Sequence, residues 1–380
     1  MQNNSLQRFL DQKPLFYKEI DYERFPRIFS KIKHHFTCKN IIHLVGTNGK
    51  GTTGRFLATA LYRSGKNVGH YTSPHIVRFN ERIWINGNDV TDEVLEDAHK
   101  QLLGYLSVED ASSLSYFEYT TLLAMVVFHK CDYIVCEAGL GGEYDATAVF
   151  ETVLTIATVI DFDHETFLGS DIRSIATTKL NVTKNALLLA KQKHQEVYEV
   201  ASKIKIQKKI QLYCVEELIS QEDKKLSQEL SLPSYMQENL LTSIAALNFF
   251  NIPYTKESFE KSRLFGRLTP LAKNILLDVG HNPLAATSIK KALGNEKRVL
   301  IYNTFADKEY KKILAILKSN ILHVEILQIE DQRIEKKEKL QKILKELEIE
   351  YKEFKSISKD FEYLVFGSFR VVEEFLKIYE

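Results

Sequence analysis

The residues best equipped for chemistry begin at Gly46-Thr47-Asn48-Gly49-Lys50-Gly51-Thr52-Thr53. Glycines let the main chain approach a ligand closely, and their N–H groups, with a helix N-terminus behind them, attract an anion. Lys50 adds a full positive charge that can reach β- and γ-phosphates, and Thr52 or Thr53 offers a hydroxyl near a bound magnesium ion. The spacing departs from the common phosphate loop, because Leu44 stands where its first glycine would be and Gly51 where Ser or Thr should follow the lysine. A second set is Glu137, which closes an apolar run just before Ala-Gly-Leu-Gly-Gly. A carboxylate there is placed to hold magnesium or to orient a water. Ser73, before Pro74, is by default a turn residue but can ligate a metal through its hydroxyl. The segment DFDHETFLG adds Asp161, Asp163 and His164, and the histidine can bind a metal or act as acid or base. Each set follows a different strand, so all can serve one magnesium–nucleotide site.

The elements that must position these groups are legible around them. Ile41, Ile42, Leu44 and Val45 read as a buried strand, and Phe56, Leu57, Ala60 and Leu61 recur at helical spacing until Gly65. Val68–Tyr71 reads as a second strand, and TSPHIVRFNERIWING as a long irregular loop that folds over a ligand. Thr91 opens a helix, another spans about Phe117 to His129, and Tyr133–Cys136 and Thr152–Ile160 read as further strands. Residues 5–36 look helical and peripheral, and 190–232, rich in Lys, Gln and Glu, look like an edge decoration without a motif. A helix from Tyr235 to Phe250 precedes a polar stretch, and beyond it strands and helices alternate to the end, which implies a second, smaller and largely parallel sheet. We therefore expect an α/β protein with a nucleotide-binding domain at 1–253, a linker at about 254–263 and a second domain at 264–380.

Composition sets the outer limits. Apolar residues at 44% and charged residues at 27% suit a globular chain of 380 residues, and a net charge of +1 offers no general attraction to nucleic acid. No apolar run reaches membrane-spanning length, and the start MQNNSLQRFLDQK lacks a signal peptide's apolar segment. Cys38, Cys131, Cys136 and Cys214 form no C-x-x-C pair, so we read reduced thiols in a cytoplasmic protein that binds neither membrane nor nucleic acid, and we expect a monomer. The Glu/Lys-rich run at 335–353 reads as a solvated helix face.

Taken in order, GTNGKGTT, TSPH with NERI, YFEYTT, EAGLGG with DAT, DHETFLG, then FGR at 265–267 and DVGHNP at 278–283, resemble the folylpolyglutamate synthase/dihydrofolate synthase family of Mur ligase-like proteins. The resemblance implies a P-loop, Mur ligase-like nucleotide-binding domain followed by a Rossmann-like α/β domain. It also implies an ATP- and Mg2+-dependent amide ligase. In that chemistry a carboxylate of dihydropteroate or a reduced folate takes the γ-phosphoryl group of ATP, and the amine of L-glutamate displaces phosphate from the acyl phosphate. Carried over by motif, Gly46, Thr47, Asn48, Gly49, Lys50, Gly51 and Thr52 hold the phosphates, and Ser73, Glu137 and His164 hold the metal. Asn239 and Arg267 contact the nucleotide. Phe117, Glu118, Arg82 and Asp145 contact the folate-type substrate, with Phe117 and Glu118 at its pterin end. Asp278 and His281 stand near the incoming glutamate. Lys50, His164, Lys179, Asp278 and His281 form the catalytic set. Because Arg267, Asp278 and His281 follow the linker, the resemblance expects a site completed by both domains and closed against water.

Some positions depart from the family pattern. Glu143 stands where the family usually has Arg and Ala148 where it has Asn, which bears on contacts around the pterin or the metal. Lys179, in IATTKLNVTK, matches a lysine that is carbamylated in related enzymes, but Thr178, Leu180 and Asn181 break its context. Two alternatives stay open: a muramyl-type amino-acid ligase with a similar phosphate loop, and a nucleotide-hydrolysing switch that joins nothing.

Overall fold

The structure is a computed structural model that describes residues 5–13, 21–37 and 40–379. The chain divides into two compact units, one of residues 1–232 and 236–262, the other of 233–235 and 263–380.

In the first unit the strands are β1 (Ile41–Val45), β2 (Val68–Tyr71), β3 (Ile83–Ile85), β4 (Asn88–Asp89), β5 (Tyr133–Glu137), β6 (Thr152–Ala157), β7 (Ala186–Leu189) and β8 (Gln211–Cys214). They form one sheet in the order β4-β3-β2-β5-β1-β6-β7-β8, parallel except for the β3–β4 hairpin at one edge. All five residues of β1 are buried, as expected of a central strand covered on both faces. One layer buries Ile134 and Cys136 with Leu122, Met125 and Phe128 of the helix Tyr116–Val127 and its end. Another buries Val45, Ala157 and Leu187 with Ile175, Leu180 and Val200. The chain leaves β1 for β2 on one side, returns through β5, then crosses to β6 on the other. The carboxyl ends of β5, β1 and β6 therefore meet where the winding reverses, the place where open α/β sheets bind ligands.

The helix Lys50–Arg63 starts directly from the glycine-rich loop and is buried from Gly51 to Leu61. Its burial on all sides explains a composition without a polar stripe, and Ser243 Oγ donates to the Thr53 carbonyl (2.8 Å) from the helix Ser234–Phe249.

Three expectations change in this unit. The supposed irregular loop after Thr72 contains a 3-10 turn, Phe79–Arg82, and the β3–β4 hairpin. Short strands there carry too few residues to show an alternating pattern. The stretch 190–232 is more than decoration: it supplies a helix, Gln195–Lys208, and the edge strand β8, whose three half-buried residues after the exposed Gln211 show no alternation. The stretch 254–262 packs onto the first unit, with Phe259 buried and Tyr254 donating to Asp223 Oδ1 (2.5 Å).

The second unit holds β9 (Thr269–Ala272), β10 (Ile275–Asp278), β11 (Arg298–Tyr302), β12 (Ile321–Ile326), β13 (Tyr351–Glu353) and β14 (Tyr363–Phe366) in the order β13-β12-β11-β14-β10-β9, with only β9 antiparallel. Edge strand β13 lies within the run read from sequence as one charged helix, which ends at Glu346. Residues 14–20 of the expected N-terminal helices, and Cys38, lie outside the described residues. Among the described residues no helix is long and apolar enough to cross a membrane.

Candidate active site

The glycine-rich loop is anchored by the segment that follows β6. The N–H of Thr47 donates to the Val159 carbonyl (2.8 Å), the Thr47 hydroxyl donates to the Asp161 carbonyl (2.8 Å), and the Asp161 N–H returns a bond to that hydroxyl (3.0 Å). Gly46 has φ +141°, and a Cβ there would overlap the Thr158 hydroxyl. Only glycine suits that combination of dihedral and close approach.

Two amines converge on this loop. Lys50 Nζ lies 3.2 Å and Lys179 Nζ 3.0 Å from the Gly46 carbonyl oxygen. Lys179 is buried, and desolvation first, then the positive charge of Lys50, lowers its pKa to about 7, against opposing pulls from Asp163 and Asp145. Lys50 Nζ is also 3.8 Å from Glu137 Oε1. The other oxygen of Glu137 accepts from the Thr72 hydroxyl and, at 3.4 Å, from the Ser73 N–H. The ends of β1, β2 and β5 thus bring Lys50, Ser73 and Glu137 together. His164 stands beyond β6 in a left-handed conformation (φ 52°), its Nε2 3.9 Å from Asp163 Oδ2.

Among the described residues no three His, Cys, Asp or Glu side chains are grouped to hold a metal ion. The Ser73 hydroxyl and the Glu137 carboxylate suit magnesium instead, which prefers oxygen, takes few protein ligands and completes its shell with phosphate oxygens and water.

Several expected substrate contacts are already engaged by the protein. Glu118 caps its own helix at the Ser115 N–H (2.7 Å) and is gripped by Arg24, from Nε (3.1 Å) and Nη2 (3.1 Å). Asp145 accepts from the N–H groups of Leu140 (2.8 Å) and Thr147 (2.9 Å) and from the Thr147 hydroxyl (2.6 Å), and burial raises its pKa. Arg82 is buried, donates to His75 Nδ1 (2.8 Å) and faces the Tyr116 and Phe79 rings at 5.3 and 5.9 Å. Phe117 stacks near Tyr71 (centroids 6.0 Å apart), and a Cβ at Gly139 would come within 2.6 Å of its ring. Beside the Asp145 loop opens a cavity of about 660 Å³ walled by Phe25, Phe29, Phe36, Met125, Val149 and Phe150, with Glu118, Glu143 and Asp145 on its polar side. Glu143 accepts a hydrogen bond from Asn181, so one of the two departures near the pterin or metal, Glu143, contacts a residue that breaks the context of Lys179.

Asn239 approaches the phosphate loop: a Cβ on Gly49 would lie 2.6 Å from its Oδ1. In the second unit, Asp278 accepts from the N–H groups of Leu268 (2.9 Å) and Gly280 (2.8 Å). Burial raises the Asp278 pKa and the Arg267 charge opposes this. The Arg267 guanidinium lies 5.5 Å from the Phe369 ring, and His281 Nδ1 is 3.2 Å from the Val279 carbonyl. Sequence reasoning missed the role of Thr72, although it lies in TSPH, and missed Thr158 and Val159, which fix the site through contacts no motif marks. It also missed His43, in the middle of β1, where an apolar run gives no sign of a polar role.

No protein-family model matches the chain. It is 31% identical over 368 residues to the dihydrofolate synthase/folylpolyglutamate synthase of Buchnera aphidicola (subspecies Acyrthosiphon pisum), covering 89% of each chain. Among solved structures, it is 38% identical to the Helicobacter pylori folylpolyglutamate synthetase, with TM-score 0.81 over 100% of this chain and 99% of that one. The Escherichia coli enzyme in complex with DHPP and ADP is 25% identical, with TM-score 0.80 over 99% of this chain and 97% of that one.

Proposed function

The chain belongs to the dihydrofolate synthase/folylpolyglutamate synthase family, and on that premise we propose that it joins L-glutamate to the carboxylate of dihydropteroate, of a reduced folate, or of both, at the expense of ATP. A substrate carboxylate oxygen attacks the γ-phosphorus and ADP leaves. The glutamate amine then attacks the acyl carbon, loses a proton, and expels inorganic phosphate as the amide forms. The protein's share is positioning and the neutralisation of charge as it develops.

The observation that carries this reading is the meeting of Lys50, Lys179 and Glu137 around the Gly46 turn. Loop N–H groups and Lys50 hold the phosphates, with Asn239 and Arg267 as further nucleotide contacts. Ser73, Glu137 and His164 would hold Mg2+, whose chemistry is to offset charge on the phosphate oxygens. A Lys179 amine that is partly neutral near pH 7 is also competent to take up carbon dioxide as a carbamate. Asp278 and His281 meet the glutamate, and His281 receives or relays the amine proton. The aromatic cavity beside the Asp145 loop suits the flat pteridine end, and Phe117 and Arg82, which do not line it, are further substrate contacts that the motifs imply. The substrates are small molecules, and we propose a monomer in the cytoplasm with no role for nucleic acid.

The test is phosphate release from MgATP with glutamate and either dihydropteroate or a reduced folate. Release that needs both glutamate and a pterin substrate supports the ligase, and the two arms separate first from later glutamate addition. Release indifferent to glutamate indicates a switch, and dependence on another amino acid and acceptor indicates a muramyl-type ligase. His281→Ala should leave ADP affinity within about twofold while slowing glutamate-dependent turnover about a hundredfold; unchanged turnover removes His281 from the mechanism.

A further inference from the structure

We propose that His43 is a positioning residue for the pterin-bearing substrate: from the centre of the first sheet it holds, through the Thr147 hydroxyl, the Asp145 loop that walls the cavity. The inference rests on the ligase reading for the identity of that substrate, but not for the tie itself.

His43 is fully buried in β1, between Cys136 of β5 and Thr155 of β6. Ile41, two residues earlier and therefore on the same face of the strand, lines the cavity. His43 Nε2 is 2.6 Å from Thr147 Oγ1, and the Thr147 hydroxyl donates to Asp145 Oδ1 at 2.6 Å. A hydroxyl has one proton, so its oxygen must accept from His43, which fixes the Nε2–H tautomer. Burial first, then the nearby Lys184 charge, lowers the ring's pKa to about 3, so it stays neutral.

A histidine is a poor core residue at this position. Nδ1 is buried and has no hydrogen-bond partner among the described residues, whereas leucine or valine would fill the strand with no such cost. What the imidazole adds over an apolar side chain is its one hydrogen bond to Thr147. That bond has an evident use. The segment 139–142 contains Gly139, Gly141 and Gly142 and has little stiffness of its own. It is closed by Asp145, which accepts from Leu140 and Thr147, and Asp145 is in turn oriented by the hydroxyl that His43 holds. Glu143, Asp145, Ala146 and Val149 of this loop line the cavity, so its position sets the cavity's shape. Three residues beyond His43 the same strand delivers Gly46, so one rigid element fixes both the nucleotide loop and the substrate wall.

The test compares His43→Leu, His43→Gln, Thr147→Val and the His43→Leu/Thr147→Val double variant by steady-state kinetics and by hydrogen exchange over 139–149. His43→Leu should raise KM for the pterin substrate at least about tenfold while KM for MgATP moves less than about twofold. Gln, which keeps a donor near the Nε2 position, should recover most of that loss, and the double variant should be no worse than the worse single one. Exchange should quicken across 139–149 in His43→Leu and stay unchanged in β5 and β6. Parallel rises in both KM values, a Gln variant no better than Leu, or unchanged exchange overturns the proposal. Should His43→Leu not fold, Thr147→Val leaves the sheet centre untouched and puts the same question. If wild-type phosphate release proves independent of glutamate, the ligase reading fails, while the exchange measurement still decides whether His43 ties the loop.

Discussion

The Gly46 turn can be tested by a substitution whose cost has two separable parts. In Gly46→Ala the new Cβ would overlap Thr158 Oγ1 and lie 3.1 Å from Thr158 Cβ and 3.2 Å from its carbonyl carbon. Thr158 is poorly able to yield, since its hydroxyl donates to the Val45 carbonyl (3.1 Å) and its N–H to the same oxygen (2.9 Å). Overpacking of this kind costs about 1–3 kcal/mol. The φ of +141° adds a strain of about 1–3 kcal/mol for a residue with a side chain. The loop escapes both by moving away from β6, which breaks the Thr47–Val159 bond and takes the Gly46 carbonyl off Lys50 and Lys179. ADP affinity should then fall by about 2–4 kcal/mol, or roughly 30- to 1,000-fold, in a calorimetric titration. Adding Thr158→Ala removes the hydroxyl but leaves φ unchanged, so the double variant should regain about tenfold and no more. Gly46→Ala that binds ADP within about threefold of wild type, or a double variant no better than the single one, would refute the account.

Two further outcomes are expected. Arg24→Met removes the ion-pair partner of the largely buried Glu118 and should cost about 3–5 kcal/mol in urea unfolding, and an unchanged midpoint would mean that the pair contributes nothing to stability. The folded pKa of Lys179 lies near 7, below the 10.5 of the unfolded chain, so between these values the unfolded state binds the extra proton. This contribution to stability therefore rises with pH from about 7 to about 10.5, by at most about 1.4 kcal/mol per unit, and is lost as pH falls through 7. Lys179→Met should flatten that slope in urea midpoints taken at pH 7, 8 and 9, and a slope shared by both proteins would remove Lys179 as its source.

What the sequence made legible follows from where the information is local. β1, the glycine-rich turn and the helix Lys50–Arg63 are contiguous, and each announces itself by an apolar run, glycines or helical spacing. Strand ends at Tyr71 and Glu137 could be read the same way. The anchors of the phosphate loop could not, because Val159 and Asp161 lie more than a hundred residues from Thr47 and act through backbone atoms present in every residue. Glu118 and Asp145 illustrate the converse. Their motifs suggested contact with substrate, yet the structure commits both carboxylates to protein donors. Both residues line the cavity, and these bonds help to fix its wall.

That commitment connects to the charge balance at the nucleotide loop. Lys50 and Lys179 both reach one carbonyl oxygen, an arrangement that two full charges in a buried setting would oppose. The structure relieves it by keeping Lys179 close to neutrality and by setting Glu137 beside Lys50, with Asp163 and Asp145 acting on Lys179 from the other loops. Removing Asp163 or Asp145 therefore shifts the protonation of Lys179 as well as its own contacts. Asp145→Asn should lower the pKa of Lys179 further while loosening the cavity wall, coupling the substrate side to the phosphate side without a direct contact between them.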